Sequence, residues 1–297
     1  IPYSNHHLSL TWPSTVTKLI EESNPDAVHV VATGILGLLT RSYGKSHKYT
    51  ASYHLSAPEY WQQNLHIPLS LGYEIFKWFL APAVKTLVPS VSLRARLIEK
   101  GFKNTVLWSH GVDLETFTTS PSTPAPLSLP NKIGSAFLYV GRVVVNKNLE
   151  AFLELDLPGI KWVVGDGPQL EPLKRKYGST NICWIGEISS RQELAHFYAN
   201  ADVFVLPSKA ETFGLVLLEA MACGCPVAAY PVTGPIDILG DSPVGALDEH
   251  LGKACLKALT IDRKAVRNFA EQFTWEKTAG QFVKNLHNLK EAPYAKP

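Results

Sequence analysis

This sequence lacks most of the bulk features that assign a function at a glance. Its 28 Lys and Arg balance 26 Asp and Glu to leave a formal charge of +2, too mild for a nucleic-acid surface, which needs a concentrated basic patch. The longest apolar stretch, residues 67–88, is broken by Glu74, Lys77 and Pro82, so it fails as a membrane span and reads as a core helix followed by a strand. Cysteine is scarce: Cys183, Cys223, Cys225 and Cys255 lie in apolar runs rather than in a framework of loops. That excludes a disulfide scaffold and suits a reducing compartment, hence a cytoplasmic setting. Cys223 and Cys225 have no second Cys or His pair at metal-binding spacing, so packing accounts for them better than zinc does. No Asp-x-Asp pair occurs, which removes the usual carboxylate ligands for an ion bridging a diphosphate. The expectation is therefore no metal and no cofactor. No solenoid-length repeat or heptad run is present.

What the sequence does have is alternation. Strand-like runs at 27–32, 48–54, 85–89 and 105–109 are separated by helix-like ones, the pattern of parallel α/β architecture. Ser90 or Ser92 caps the helix that Gly101 stops. Residues 118–130 carry four prolines among Ser and Thr, a linker composition. Beyond them the alternation restarts with SAFLYVGR, KWVVGDG, NICWIGE, DVFVLPS and PVAAY. The fold class is thus α/β with two doubly wound, Rossmann-like domains: 1–117, a linker at 118–130, and 131–272. An amphipathic C-terminal helix and tail at 273–297, with Phe273, Phe282, Val283 and Leu286 as its apolar residues, is expected to cross back to the first domain. Two such domains leave a cleft, and ligands in these sheets bind outside the carboxyl ends of the strands. Phe76, Trp78 and Phe79 around Lys77 either pack inward or form a face for peripheral membrane contact.

One helix raises a chemical question. From Gly214 to Ala222 every residue is small or apolar except Glu219, so the helix is expected to be buried, and an ionised carboxylate inside it needs either a protein partner or a ligand. The strand DVFVLPS ends just before it and Glu211 lies in the intervening loop. Free amides near Phe213, Gly214 and Leu215 at the helix start make a phosphate site, and Glu219 further in is placed to accept hydroxyl hydrogen bonds from a ribose. In YVGRVVVNKN, Gly141 ends a strand and Arg142 and Lys147 follow it, two cations suited to a diphosphate. In VVGDGPQL, Gly165 and Gly167 permit close backbone approach, a weak nucleotide signal alone.

Together these segments resemble retaining nucleotide-sugar glycosyltransferases of the GT-B fold, family four. ETFGLVLLEAMACGCPVAA, with seven residues between Glu211 and Glu219, is similar to the family signature. GRVVVNKN, VVGDGPQLEPL, ADVFVLPS and FTWEKTAGQF match other blocks in order. PDAVHVVATGILG, TASYHLSAPEY, PSVSLRARLIEKGF and HGVDLETF extend the resemblance through the first domain, nearest to bacterial mannosyltransferase-like members.

The resemblance implies a hexosyltransferase working on a nucleoside diphosphate sugar and a lipid or saccharide acceptor. Arg142 and Lys147 would hold the donor diphosphate, Glu219 the ribose, Glu211 the hydroxyls of the transferred sugar, and Gly141, Gly165, Gly167, Phe213, Gly214 and Leu215 would shape the donor site. His54 matches a histidine facing donor and acceptor, with a satisfied core histidine as the alternative. His29 reads as structural, and His110 stands where relatives more often have Arg or Asn. Ala32, Thr33 and Gly34 replace a common Thr-Glu-Gly, Leu55 replaces Thr, and Asn146 replaces an acid. The family's first strand and glycine-rich loop have no counterpart here, so a preceding segment or a second polypeptide is expected beside the strand at 27–32. The rival reading is a non-catalytic subunit that binds nucleotide or serves in assembly. A sugar-nucleotide epimerase of the same shape fits the motif order less well.

Overall fold

The structure is a computed structural model that describes residues 11–31, 35–44, 47–54, 57–126, 129, 130, 132, 134–178 and 180–289. Residues 32–34 and Leu55, where the sequence departs from its relatives, lie outside these. The chain forms two compact units: residues 1–109 with 279–297, and residues 110–278.

In the first unit the described elements run α1 (Pro13–Ser23), β1 (His29–Val30), α2 (Ile35–Tyr43), β2 (Thr50–Ser52), α3 (Ala57–Leu65), α4 (Leu69–Leu80), β3 (Lys85–Val88), α5 (Val91–Glu99) and β4 (Thr105–Leu107). The strands form a parallel sheet in the order β1-β2-β3-β4. Helix α5 starts as the sequence predicts: the Ser90 hydroxyl accepts the Leu93 N–H at 3.4 Å, satisfying a donor with no intrahelical partner. Helix α4 corrects one of the two readings of its aromatics. Tyr73, Phe76 and Phe79 are buried, whereas Trp78 is exposed with the Arg41 guanidinium 4.0 Å above its ring. At 3.6 residues per turn positions 76 and 79 share a face that 78 does not. The three rings therefore do not make a common outward face.

The second unit holds β5 (Ser135–Val140), a 3₁₀ turn (Val145–Lys147), α6 (Leu149–Leu153), β6 (Gly159–Val164), α7 (Leu170–Tyr177), β7 (Ile182–Gly186), α8 (Arg191–Asn200), β8 (Val203–Leu206), α9 (Leu215–Ala222), β9 (Val227–Ala229), α10 (Pro235–Leu239), β10 (Gly245–Leu247), α11 (Leu251–Ala258) and α12 (Arg263–Ala270). Helix α13 (Trp275–Asn285) starts in this unit and ends among residues of the first. The six strands are parallel in the order β10-β9-β8-β5-β6-β7. All four residues of β8 are buried, as expected of a strand covered by helices on both faces. The order runs outward from β5 through β6 and β7, then from β8 through β9 and β10 on the other side. The topological switch point lies between β5 and β8.

The division between units falls at Ser109/His110, ahead of the Pro-rich segment at 118–130. Side chains of the second unit explain this. Arg267 donates to the carbonyls of Phe117 at 2.8 Å and Leu114 at 3.3 Å, and Thr123 bonds the His196 ring at 3.0 Å. The chain is thus tied to the second unit from Leu114 and Phe117 onward, and within the Pro-rich segment Thr123 is held by its side chain. In α13 and the residues flanking it, Phe273, Phe282 and Leu286 are half-buried, but Val283 is exposed and does not belong to the packed face.

Candidate active site

The carboxyl ends of β5, β6 and β8 bring three loops together. After β5, Gly141 donates its N–H to the Val164 carbonyl at 3.0 Å and Val143 to that of Asp166 at 2.8 Å. The close approach permitted by Gly165 and Gly167 is to this neighbouring loop. A Cβ at Gly165 (φ +136) would overlap the Gly141 carbonyl oxygen, and one at Gly167 would overlap that of Val143. Tyr139, at the end of β5, is fully buried and its hydroxyl donates to the Arg142 carbonyl at 2.8 Å. Burial, with Glu211 adding to it, holds this phenol above its usual range, so it stays a donor. The loop is thereby fixed, while the Arg142 side chain is exposed.

Across the switch point the loops after β5 and β8 are joined twice. Lys147 Nζ lies 2.7 Å from Glu211 Oε2, and Asn148 Nδ2 donates to the Pro207 carbonyl at 3.0 Å. Glu211 also accepts the Thr212 N–H at 3.2 Å. Its Cγ lies 3.2 Å from where a Gly234 Cβ would stand, so that glycine makes room for it. Ser208, in the loop after β8, is fully buried and its hydroxyl has no hydrogen-bond partner among the described residues.

Helix α9 starts at Leu215. Gly214 is its N-cap at φ +93, a conformation that glycine adopts without strain. The first helical amide with a partner is Leu217, bonded to the Gly214 carbonyl at 2.9 Å, so the helix start has backbone N–H groups without an intrahelical acceptor. Glu219 receives a protein partner that the sequence did not reveal. The hydroxyl of the buried Tyr198 donates to its Oε2 at 3.1 Å, and Arg191 Nη2 stands 3.9 Å from its Oε1. Burial nonetheless raises the Glu219 carboxyl above its ordinary value, with Tyr198 and Arg191 opposing the shift. The carboxylate lines a cleft of about 410 Å³ together with Gly111, Val112, Arg191, Leu215 and Trp275.

Of these residues Arg191 and Tyr198 carry no sequence signal: each is an ordinary helical position that only packing brings to Glu219, whereas Trp275 falls in the FTWEKTAGQF block. Gly111 is legible afterwards, since a Cβ there would stand 2.8 Å from the Thr274 carbonyl carbon. His110 packs edge-on against Phe213 at 4.9 Å. His54 belongs to the first unit, where it is half-buried with its ring 5.6 Å from Trp108; burial lowers its pKa. His29 contacts Thr50 Oγ1 at 2.8 Å and Ser52 Oγ at 3.1 Å, and burial followed by the nearby His54 lowers its pKa to about 4.

Residues 1–116 match the family model described as Glycosyltransferase Family 4, and residues 129–249 match the one described as Glycosyl transferases group 1. Over 92% of its length the chain is 29% identical to a sulfoquinovosyl transferase of Arabidopsis thaliana, of which it covers 58%. Over 78% it is 27% identical to a GDP-mannose-dependent alpha-mannosyltransferase of Corynebacterium glutamicum, of which it covers 57%. The solved sucrose-phosphate synthase from Thermosynechococcus elongatus aligns with a TM-score of 0.77 at 24% identity, covering 92% of this chain and 75% of that one. The chain spans a little over half the length of the curated relatives it matches.

Proposed function

The chain belongs to the family-four glycosyltransferases of the GT-B fold, and from that premise we propose that it moves a hexosyl group from a nucleoside diphosphate sugar to a lipid or saccharide acceptor. The observation that carries this reading is the Lys147–Glu211 pair, set across the switch point of the second sheet beside the start of α9. That is where a doubly wound sheet receives a nucleotide. Arg142, Lys147 and the amides at Phe213, Gly214 and Leu215 meet the diphosphate and stabilise the charge that grows on it as it leaves. Glu219, already oriented by Tyr198, accepts ribose hydroxyls, and Glu211 accepts those of the sugar. His54 is the first unit's candidate for contact with the reacting groups, on the resemblance alone.

The transfer breaks the bond between the anomeric carbon and the diphosphate oxygen and forms one from that carbon to an acceptor oxygen. In the retaining version the acceptor attacks from the leaving-group face and its proton passes to the departing diphosphate. No carboxylate nucleophile is then needed at the reaction centre, and no divalent ion is required where lysine, arginine and helix amides carry the phosphate charge. Release of nucleoside diphosphate from UDP-glucose or GDP-mannose, with glucosyl or mannosyl lipid formed on membrane extracts in EDTA, tests the proposal. Nucleotide binding without release or transfer under any acceptor condition would favour the non-catalytic reading.

A further inference from the structure

The Lys147–Glu211 pair poses a problem for the reading just proposed, on which this inference rests: one ammonium is claimed by two anions. Glu211 holds it at 2.7 Å, and a bound diphosphate needs the same charge. Glu211 is the fixed partner. Its side chain is 12% exposed against 27% for Lys147; it accepts the Thr212 N–H, and it packs into the space left by Gly234. Lysine carries its charge on a flexible four-carbon stem with three donors, so the ammonium is the part that moves. The loops need not part when it does, because Asn148 Nδ2 to the Pro207 carbonyl joins them independently at 3.0 Å.

We infer that this pair makes the site distinguish the donor from its own leaving group. When a nucleoside diphosphate takes Lys147, Glu211 is left as a partly buried carboxylate without its cation, beside added negative charge, which is unfavourable. A nucleoside diphosphate sugar brings its own remedy, since the hexose hydroxyls donate to Glu211 as the phosphates capture Lys147. After transfer the hydroxyls depart with the acceptor, Glu211 reclaims the ammonium, and the diphosphate loses a contact. The pair thus favours donor capture and product release with one exchange of partners.

The test is a double-mutant cycle read by titration calorimetry with UDP, GDP, UDP-glucose and GDP-mannose. Glu211→Gln should tighten binding of whichever diphosphate the chain takes by roughly tenfold, while its sugar form gains less or loses. In a Lys147→Ala background the same change should give no such gain. A gain of equal size in both backgrounds would mean plain repulsion of phosphate by Glu211 and would overturn the inference, as would unchanged or weaker diphosphate binding in Glu211→Gln. Should that variant fail to fold, Glu211→Asp shortens the side chain enough to open the pair and should show a smaller gain in the same direction. If neither UDP nor GDP binds the unaltered chain or any variant, the donor-site reading itself falls, and the inference with it.

Discussion

A carboxylate in an otherwise apolar helix has to be accounted for, and Glu219 is only half accounted for by protein. Tyr198 supplies one hydrogen bond, yet burial still raises the carboxyl's pKa. A raised pKa in an acid means that folding favours its protonated form: stability is greatest below the unfolded value and falls as pH rises through the folded one. Glu219→Gln should therefore leave the free protein as stable as the parent or more so at pH 7, with the difference closing towards pH 4, while nucleotide affinity drops. Urea unfolding at the two pH values, paired with nucleotide titration, checks this; a large loss of stability at pH 7 would make Glu219 a structural ion-pair partner instead. His29 has the opposite sign. Its pKa falls from 6.5 to about 4, so folding favours the neutral ring, and its contribution is complete above 6.5 and lost as pH falls from there to about 4. After allowance for the half-exposed ring this is of the order of 1 kcal/mol. His29→Gln should flatten that part of the stability profile, and a parallel profile for parent and variant would contradict the assignment.

At the scale of elements, the loops are set by what a side chain would strike. Gly165 and Gly186 both have positive φ, at +136 and +88, but a Cβ at Gly165 runs into the Gly141 carbonyl whereas nothing lies within 4 Å of one at Gly186. Gly186→Ala should cost only backbone strain, about 1 kcal/mol, and Gly165→Ala distinctly more, roughly 2–4 kcal/mol, because the β5 and β6 loops must separate. The Gly165 variant should also lose nucleotide affinity, since Arg142 and Lys147 follow Gly141. Equal costs in denaturant unfolding would show that the loops are not held as described. The same logic explains α9: Gly214 permits the turn that aims the helix start outward, and Leu217 closes under it.

At the scale of the molecule, the residues proposed for the donor site, other than His54, all fall in one of the two units. Nucleotide alone should act there. At one hundred times its dissociation constant UDP or GDP should add about 2.7 kcal/mol of stability. Hydrogen-exchange protection is expected to concentrate in residues 141–148 and 211–219. Protection confined to the first unit would remove the donor site from the second sheet.

Much of this was legible because it depends on local chemistry. Alternating β and α runs specify parallel sheets, so β5 to β9 were readable, whereas β10, three residues of Gly-Ala-Leu at an edge, carries too little pattern to show. The spacing of Glu211 and Glu219 around a helix start, and the cations after Gly141, are properties of short stretches. Tertiary structure alone decided the rest. Tyr198 and Arg191 reach Glu219 from a neighbouring helix, Lys147 meets Glu211 across a switch point 64 residues apart, and Arg267 ties Leu114 and Phe117 to the second unit. Such pairings are settled by which buried polar groups find partners when the layers pack, and no local pattern of residues encodes them.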